Sequence, residues 1–204
     1  MILLVHVYIS SVSWAGYKGR KVTVGSADSY PHHQVQGTVT IAADPYESQE
    51  KIKSAFDLKD LLKRNIVPIN VIISNQGDEA IVIEGEHVEL FDPRGRSFSS
   101  LPPEEVVQLL INKDRPLPTQ APRPGRFPIP DRGGLRGDWF EIQTDLINKS
   151  LGDLRVLPKS TGFGFVFFRV LDYPVGLREF RLYLPKLRNL KTGEDLLFFE
   201  IEIQ

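Results

Sequence analysis

Residues 66–98 read IVPINVIISNQGDEAIVIEGEHVELFDPRGRSF, three short apolar runs separated by two turn sequences. In the first run, every second residue from 67 to 73 is Val or Ile, which predicts a strand with one buried face. The sequence Asn-Gln-Gly-Asp at 75–78 predicts a hairpin turn because these residues tolerate left-handed backbone. Asp-Pro-Arg-Gly at 92–95 predicts a second turn, with proline at its second position. The stretch therefore predicts an antiparallel β-meander.

The overall composition gives the chain no electrostatic preference for nucleic acid or anionic membranes. Its 204 residues include 25 basic and 26 acidic side chains, for a net charge of -1, so we predict no nucleic-acid partner. A hydrophobic content of 41% and a charged content of 25% are usual for a globular protein. The absence of cysteine excludes disulfides, thiolate nucleophiles and cysteine-ligated zinc.

The N-terminal residues 1–15, MILLVHVYISSVSWA, form an apolar segment that is too short to cross a bilayer as a helix, so we predict no transmembrane span. Ser13 and Ala15 are small residues at the positions that a signal peptidase prefers, which predicts cleavage after Ala15 and a periplasmic or extracellular location. The alternative is a first β-strand of a cytoplasmic protein, since the segment has no Lys or Arg. Residues 16–34, rich in Gly, Ser and Tyr, predict a flexible lead-in.

The remaining residues, 35–204, predict one mainly β domain. Residues 35–42 alternate in polarity and predict a strand, whereas 163–170 are too apolar for a strand that faces water on both sides. In the final run, 196–203, apolar residues predicted to point inward alternate with two outward glutamates. Many short strands with turn signals between them are typical of an antiparallel β-sandwich.

An insertion at about 102–151 interrupts the predicted sandwich. Its first part, 102–113, begins with prolines followed by glutamates and predicts a short helix. Its last part, 138–151, returns to helical spacing, as do residues 48–64, which predict amphipathic turns at one end of the sandwich. Between the two helices of the insertion, Pro-x-Pro pairs recur every six residues, as in an extended polyproline II segment.

The Pro/Arg-rich part of the insertion is the only locally basic stretch of the chain. Residues 113–136 contain six Lys or Arg residues against two Asp residues. No two prolines are spaced i, i+3, so the PxxP signature is absent. One interpretation is a stiff connection between two helices. The other is an exposed loop that binds a partner, such as another envelope protein, through Arg123, Arg126, Phe127 and Arg132.

Three runs of the chain carry a resemblance to a known type of domain: PINVIISNQGDEAIVIEGEHVELFDPRGRSF, LPKSTGFGFVFF and LLFFEIEI. Together with an Asn-x-Gly turn, an Asp-x-x-Gly turn and a Pro-Gly-type turn that precedes a Gly-aromatic strand, they resemble immunoglobulin-like domains of uncharacterised bacterial cell-envelope proteins. The resemblance implies an immunoglobulin-like antiparallel β-sandwich with a short helical, Pro/Arg-rich insertion. It also implies a non-catalytic exported module with a structural or macromolecule-binding role, and it brings no catalytic residues.

Acidic residues around the second apolar run support an alternative function. Oxygen-rich groups of this kind can hold calcium, or act on sugars as paired carboxylates, which would make the chain a metal-dependent or carbohydrate-active accessory domain or enzyme. Against this, no EF-hand spacing is present, and Glu84 and Glu86 are predicted to share a solvent-facing strand face. The acidic residues are Asp78, Glu79, Glu84, Glu86 and Glu89, with His87 among them.

Sequence signatures of enzymes are absent from the chain. It has no G-x-S-x-G, no G-x-x-x-x-G-K-[ST], no H-E-x-x-H and no G-x-G-x-x-G. The adjacent His32 and His33 offer no defined metal-ligand spacing. The tripeptide Arg-Gly-Asp at 136–138 matches an integrin-binding sequence, but Asp138 is also a predicted helix N-cap. We therefore predict no enzyme activity and no catalytic, cofactor-binding or metal-binding residue.

Overall fold

The computed structural model describes residues 17–111, 138–171, 176–196 and 198–203. These residues are mainly β and form three antiparallel sheets of four strands each, accompanied by three α-helices. The strands are β1 (His33–Gln36), β2 (Val39–Pro45), β3 (Ile66–Asn75), β4 (Ile81–Glu84), β5 (Glu89–Phe91), β6 (Ser97–Ser99), β7 (Asp153–Val156), β8 (Ser160–Arg169), β9 (Phe180–Leu184), β10 (Leu187–Asn189), β11 (Asp195–Leu196) and β12 (Phe199–Ile203). The helices are α1 (Gln49–Ala55), α2 (Pro103–Ile111) and α3 (Trp139–Lys149).

The first sheet has the order β1-β2-β3-β8, the second β11-β10-β4-β7 and the third β12-β9-β5-β6. The second and third sheets are two ends of one interrupted layer. Strands β4 and β5 are separated by the short 3₁₀ helix Gly85–His87, and β9 and β10 by two residues. The pairing continues across this break, with Ile83 opposite Leu187 and Leu90 opposite Leu182.

Strand β3 is buried at all ten of its positions. The Val and Ile residues from 67 to 73 belong to a core that contains residues of all three sheets. On the opposite face, Ile66 belongs to the cluster formed with the helices, and Ile72 packs with Ala27. The prediction of a strand with one exposed face was wrong, because residues from distant parts of the chain cover that face.

The helices lie against the outer face of the first sheet, which is therefore the middle layer of the fold. Phe56, just after α1, contacts Phe165 and Phe167 of β8 with ring centroids 4.8 and 5.8 Å apart. Val106 of α2 and Leu146 of α3 are fully buried in the same cluster. The three helical regions predicted from the sequence are confirmed, because their apolar stripes face a sheet that needs a second cover.

The predicted meander is wrong at its first turn and right at its second. Strand β3 pairs with β2 and β8, and residues 75–78 lead instead to β4 in the second sheet. The Asn75 side chain binds the Glu79 carbonyl oxygen at 2.7 Å and accepts from the Gly77 N–H at 2.9 Å, which shapes this crossing. Residues 92–95 connect the paired strands β5 and β6, with Gly95 at a φ of 79°.

Residues 35–42, predicted as one strand, form most of a hairpin. Strands β1 and β2 pair on either side of a two-residue turn, and Gly37 has a φ of 57° in that turn. Polarity alternates through the turn as well as through the strands, so the alternation does not show that the chain reverses direction there. In the segment 16–34, predicted as a flexible lead-in, Ala27 is fully buried against the first sheet.

The predicted signal segment, residues 1–15, lies outside the described residues. None of the helices in the described ranges combines the length and the apolar character that a membrane-crossing helix needs.

Candidate functional site

Among the acidic residues proposed from the sequence as a metal or sugar site, those whose side chains the structure describes do not converge. Three of them each form an ion pair with a different basic side chain: Asp78 with Lys159 (2.9 Å), Glu79 with Lys191 (2.5 Å) and Glu84 with Arg188 (3.6 Å). The hydrogen bond and the charge of Glu79 raise the pKa of Lys191 above its usual value. These carboxylates therefore connect neighbouring segments at the surface.

Glu84 and Glu86 do not share a strand face, contrary to the prediction. Strand β4 ends at Glu84, and Glu86 lies in the 3₁₀ helix that follows. The break occurs at Gly85, whose N–H donates to the Gly152 carbonyl oxygen at 2.9 Å. A Cβ at Gly85 would lie 2.5 Å from that oxygen, so this close approach requires glycine.

His87 is also separate from the adjacent His32 and His33. His33 lies at the start of β1, with its Nδ1 2.6 Å from the Tyr30 carbonyl oxygen. His87 is exposed at the end of the 3₁₀ helix between β4 and β5. Within the described ranges, no three His, Cys, Asp or Glu side chains are grouped closely enough to hold a metal ion.

Asp92 is a buried carboxylate that organises the β5–β6 turn. It accepts hydrogen bonds from the backbone N–H groups of Arg94 and Arg96 at 2.9 and 2.8 Å, and from the Arg96 Nε at 2.6 Å. Burial alone would raise the pKa of Asp92, but the Arg96 side chain and these N–H groups outweigh it and lower the pKa below its usual value. The residue that the sequence marked as a turn former therefore has an electrostatic role as well.

We expect Asp92→Asn to lower the melting temperature at pH 7, and we expect this difference in melting temperature to be smaller at acidic pH. A carboxylate with a lowered folded-state pKa stabilises the fold above its unfolded pKa of about 3.9, and this stabilisation is lost as the pH falls through the folded-state value. Melting curves of both proteins between pH 7 and about pH 3 should therefore converge towards the acid end. A constant difference would show that the charge of Asp92 is not responsible.

The candidate partner-binding residues Arg123, Arg126, Phe127 and Arg132 lie outside the described residues, so their role stays a prediction. Of the Arg-Gly-Asp sequence, Asp138 alone is described. It is the N-cap residue of α3, as predicted, but its carboxylate makes no capping hydrogen bond and accepts instead from the Tyr17 N–H at 3.1 Å.

A partly buried polar cluster, consisting of Tyr17, Asp145 and Lys149, joins three segments of the chain. The Asp145 Oδ2 accepts from the Tyr17 hydroxyl at 2.5 Å and from the Lys149 Nζ at 2.7 Å. Lys149 also donates to the Ala55 carbonyl oxygen at 2.6 Å and lies 5.1 Å from the centroid of the Phe56 ring. Lys149 and Asp145 are only 11% and 17% exposed.

This cluster holds the N-terminal segment and α1 against α3. Burial, followed by the hydrogen bond to Asp145, raises the pKa of Tyr17 above its usual range, so the phenol stays protonated and donates. The i, i+4 spacing of Asp145 and Lys149 is visible in the sequence, but Tyr17 is 128 residues from Asp145 and could not be assigned to them.

A groove of about 420 Å³ follows the outer edge of β8, between the start of α2 and residues 150–152. Its floor consists of Phe165, Val166 and Phe167, and Glu104 is the one ionisable residue among the described residues that line it. The Ser150 hydroxyl donates to the Ile147 carbonyl oxygen at 2.8 Å. This lining provides apolar contact surface rather than groups for acid–base or nucleophilic chemistry.

The outer face of the third sheet carries aromatic and acidic side chains side by side. The Tyr183 ring lies between those of Phe91 and Phe198, with centroids 6.2 and 5.5 Å away and interplanar angles of 82° and 42°. Phe198 is 48% exposed. We refer to this surface as the aromatic–acidic face; its residues are Phe91, Tyr183, Phe198, Glu89, Glu200 and Glu202, together with the outward-facing Arg181.

Strand register explains why these residues meet. In the third sheet, Tyr183 is opposite Glu89 on one side and opposite Glu200 on the other. The outward positions of Glu200 and Glu202 confirm the prediction from alternation. The aromatic members were missed, because nothing in the sequence sets the register between β5 and β9.

Comparison with known proteins gives only weak matches, to solved structures. No protein-family model matches the chain, and no curated protein is significantly similar to it. The YjhA protein from Bacillus subtilis is 9% identical, with a TM-score of 0.41 over 85% of this chain and 97% of that protein. The ycdA protein of Bacillus subtilis subsp. subtilis str. 168 is 10% identical, with a TM-score of 0.39 over 88% of this chain and 39% of that one. Both similarities are too low to relate the function of this chain to theirs.

Proposed function

We propose that the chain is an immunoglobulin-like β-sandwich that serves as a non-catalytic, exported module of the bacterial cell envelope and binds another macromolecule there. The strand order supports the fold assignment. If β2, β3 and β8 are taken as strands A, B and E, then β4–β5, β9–β10 and β11–β12 correspond to C, F and G. Neighbours A-B-E in one sheet and C-F-G in the other are those of an immunoglobulin domain.

The observation that carries the functional proposal is the aromatic–acidic face. Large aromatic side chains from separate strands lie together at the surface of a sheet whose other side is packed into the core. Aromatic residues are enriched where proteins contact other macromolecules, and a sheet face holds them in fixed positions. Such a surface recognises a partner without requiring any reactive group.

The alternative function, a metal-dependent or carbohydrate-active domain that uses the acidic residues around β4, makes a different prediction for melting. A protein that binds a metal ion in its folded state melts at a higher temperature with the ion and at a lower one with a chelator. We expect the melting temperature to be the same in calcium, zinc and EDTA, because the carboxylates of Asp78, Glu79 and Glu84 are already paired with basic side chains. An increase with either ion would favour the alternative.

The export and binding parts of the proposal can be tested together in the native host. We expect the chain recovered from the envelope fraction to begin at Gly16, and chemical cross-linking there to give one specific adduct. The adduct should be lost in the variant Tyr183→Ser and kept in Glu194→Gln, a surface change away from the aromatic–acidic face. A protein with an intact Met1 in the cytoplasmic fraction would contradict export.

A further inference from the structure

We propose that the aromatic–acidic face binds a basic, arginine-bearing extended segment of a partner protein. This inference rests on the proposed function and specifies the chemistry of the partner. The surface combines two features that favour a guanidinium group, namely aromatic rings that are partly exposed and carboxylates beside them.

The charge of the face is not balanced within the described part of the chain. Arg181 pairs with Glu200, its Nη1 lying 2.5 Å from the Glu200 Oε1. Glu89 and Glu202 form no ion pair with any described residue. The face therefore keeps about two negative charges in a protein whose net charge is only -1. A basic segment would complement this local charge.

The position of Tyr183 determines where a guanidinium group would lie. Residues directly opposite each other in an antiparallel sheet have their Cβ atoms about 5 Å apart. A cation over the Tyr183 ring is therefore close to both Glu89 and Glu200, its cross-strand neighbours. The cation–π and ion-pair attractions act on the same group, and a planar guanidinium stacks on a ring better than an ammonium does.

The neighbouring sheet edge is already occupied, which favours docking on the face. The Gln34 Oε1 accepts from the Glu200 N–H at 2.7 Å, and the Gln36 Nε2 donates to the Phe198 carbonyl oxygen at 2.7 Å. These side chains use backbone groups of β12 and of the residue before it, groups that an added strand would need. A partner would therefore contact side chains on the face rather than extend the third sheet beyond β12.

Aromatic pairs across strands also stabilise sheets without any partner. That explanation accounts for contacts among the rings, and for Glu202 as the cross-strand neighbour of Arg181, but it gives no role to the unpaired carboxylate of Glu89. The two explanations differ in what the carboxylates do: a purely structural aromatic cluster is indifferent to their charge, whereas a guanidinium site depends on it.

The test measures binding of a fluorescent oligo-arginine peptide to the full chain by anisotropy, with oligo-lysine and oligo-glutamine peptides of equal length for comparison. We expect Arg to bind more tightly than Lys, and the Gln peptide not to bind. The double change Glu89→Gln and Glu202→Gln should weaken Arg binding by about tenfold, as should Tyr183→Ser. Phe198→Ser, at a more exposed position, replaces Tyr183→Ser if that variant does not melt cooperatively.

A matched control removes two carboxylates elsewhere, with Glu50→Gln in α1 and Glu194→Gln before β11. We expect this control to keep the affinity of the unmodified chain. Equal weakening by the control, or no weakening by the Glu89 and Glu202 changes, would overturn the proposal. Equal binding of the Arg and Lys peptides would also overturn it. The same holds if a neutral oligosaccharide binds the face and its affinity is unchanged by the Glu89 and Glu202 changes. If this test fails but the envelope cross-link still depends on Tyr183, the arginine proposal is wrong and the proposed function is retained. If the cross-link does not depend on Tyr183 either, both the arginine proposal and the proposed function are wrong.

Discussion

Replacing Gly164 with alanine lowers the free energy of unfolding by about 3 kcal/mol. A Cβ at this position would lie 2.4 Å from the Leu151 Cα and 2.8 Å from the Leu151 backbone nitrogen. The Leu151 N–H donates to the Phe165 carbonyl oxygen at 2.9 Å, so its backbone cannot move away without losing that bond. The added methyl group therefore has to separate β8 from the chain that follows α3.

The matched control for this change lies two residues earlier in the same strand. In Gly162→Ala, the new Cβ would meet methyl groups of Val156 and Leu154 at 3.1 and 3.2 Å. Side-chain ends can rotate away, so we expect a loss of less than about 1 kcal/mol. Urea unfolding of both variants at equilibrium measures the difference. Equal losses of unfolding free energy would mean that any alanine in place of glycine in β8 is destabilising, and that the contact with Leu151 is not the cause.

The sequence marks Gly162 and Gly164 as unusual for a strand, but it does not distinguish their roles. Nothing near Gly164 along the chain indicates that residue 151 crosses it, because the two segments meet only through tertiary packing. The positions of the strands were easier to predict from the sequence. In β12, alternation predicted the buried residues correctly, since this strand is covered on one face only.

Strand pairing was harder to predict than strand position. The sequence at 75–78 has the residues of a hairpin turn, yet the chain crosses there from one sheet to another. The reason is the composition of β3: apolar residues on both faces suit a central strand, and its two neighbours, β2 and β8, occupy both of its edges. Turn propensity is a local property, whereas the choice of neighbour depends on the burial of the whole strand.

The same limit applies to the candidate site. Alternation in β12 correctly placed Glu200 and Glu202 outward. The meeting of Phe91, Tyr183 and Phe198 depends on the register of strands that are far apart in sequence, and no short-range pattern encodes that register. The acidic residues around β4 resembled a site because they are close in sequence, but Glu84 and Glu79 form ion pairs with basic side chains in and just after β10.

Replacing Asp145 with asparagine lowers the free energy of unfolding by about 2–3 kcal/mol. The Lys149 ammonium, only 11% exposed, then keeps the Ala55 carbonyl oxygen and the Phe56 ring but no counter-charge. The Tyr17 hydroxyl loses a charged acceptor at the same time. Removing one member of a buried ion pair costs more than the pair itself contributes, because the remaining charge stays desolvated.

The ion pair between Lys159 and Asp78 provides the control, because it is about as short as the pair between Lys149 and Asp145 but is much more exposed to solvent. Its Nζ–Oδ1 distance is 2.9 Å, compared with 2.7 Å for Lys149 and Asp145, but its side chains are 61% and 88% exposed. We expect Asp78→Asn to change stability by less than about 0.5 kcal/mol. A third variant, Asp145→Leu with Lys149→Met, removes both charges and should recover part of the loss in urea unfolding. If it is less stable than Asp145→Asn, the hydrogen bonds of Lys149 matter more than its unbalanced charge.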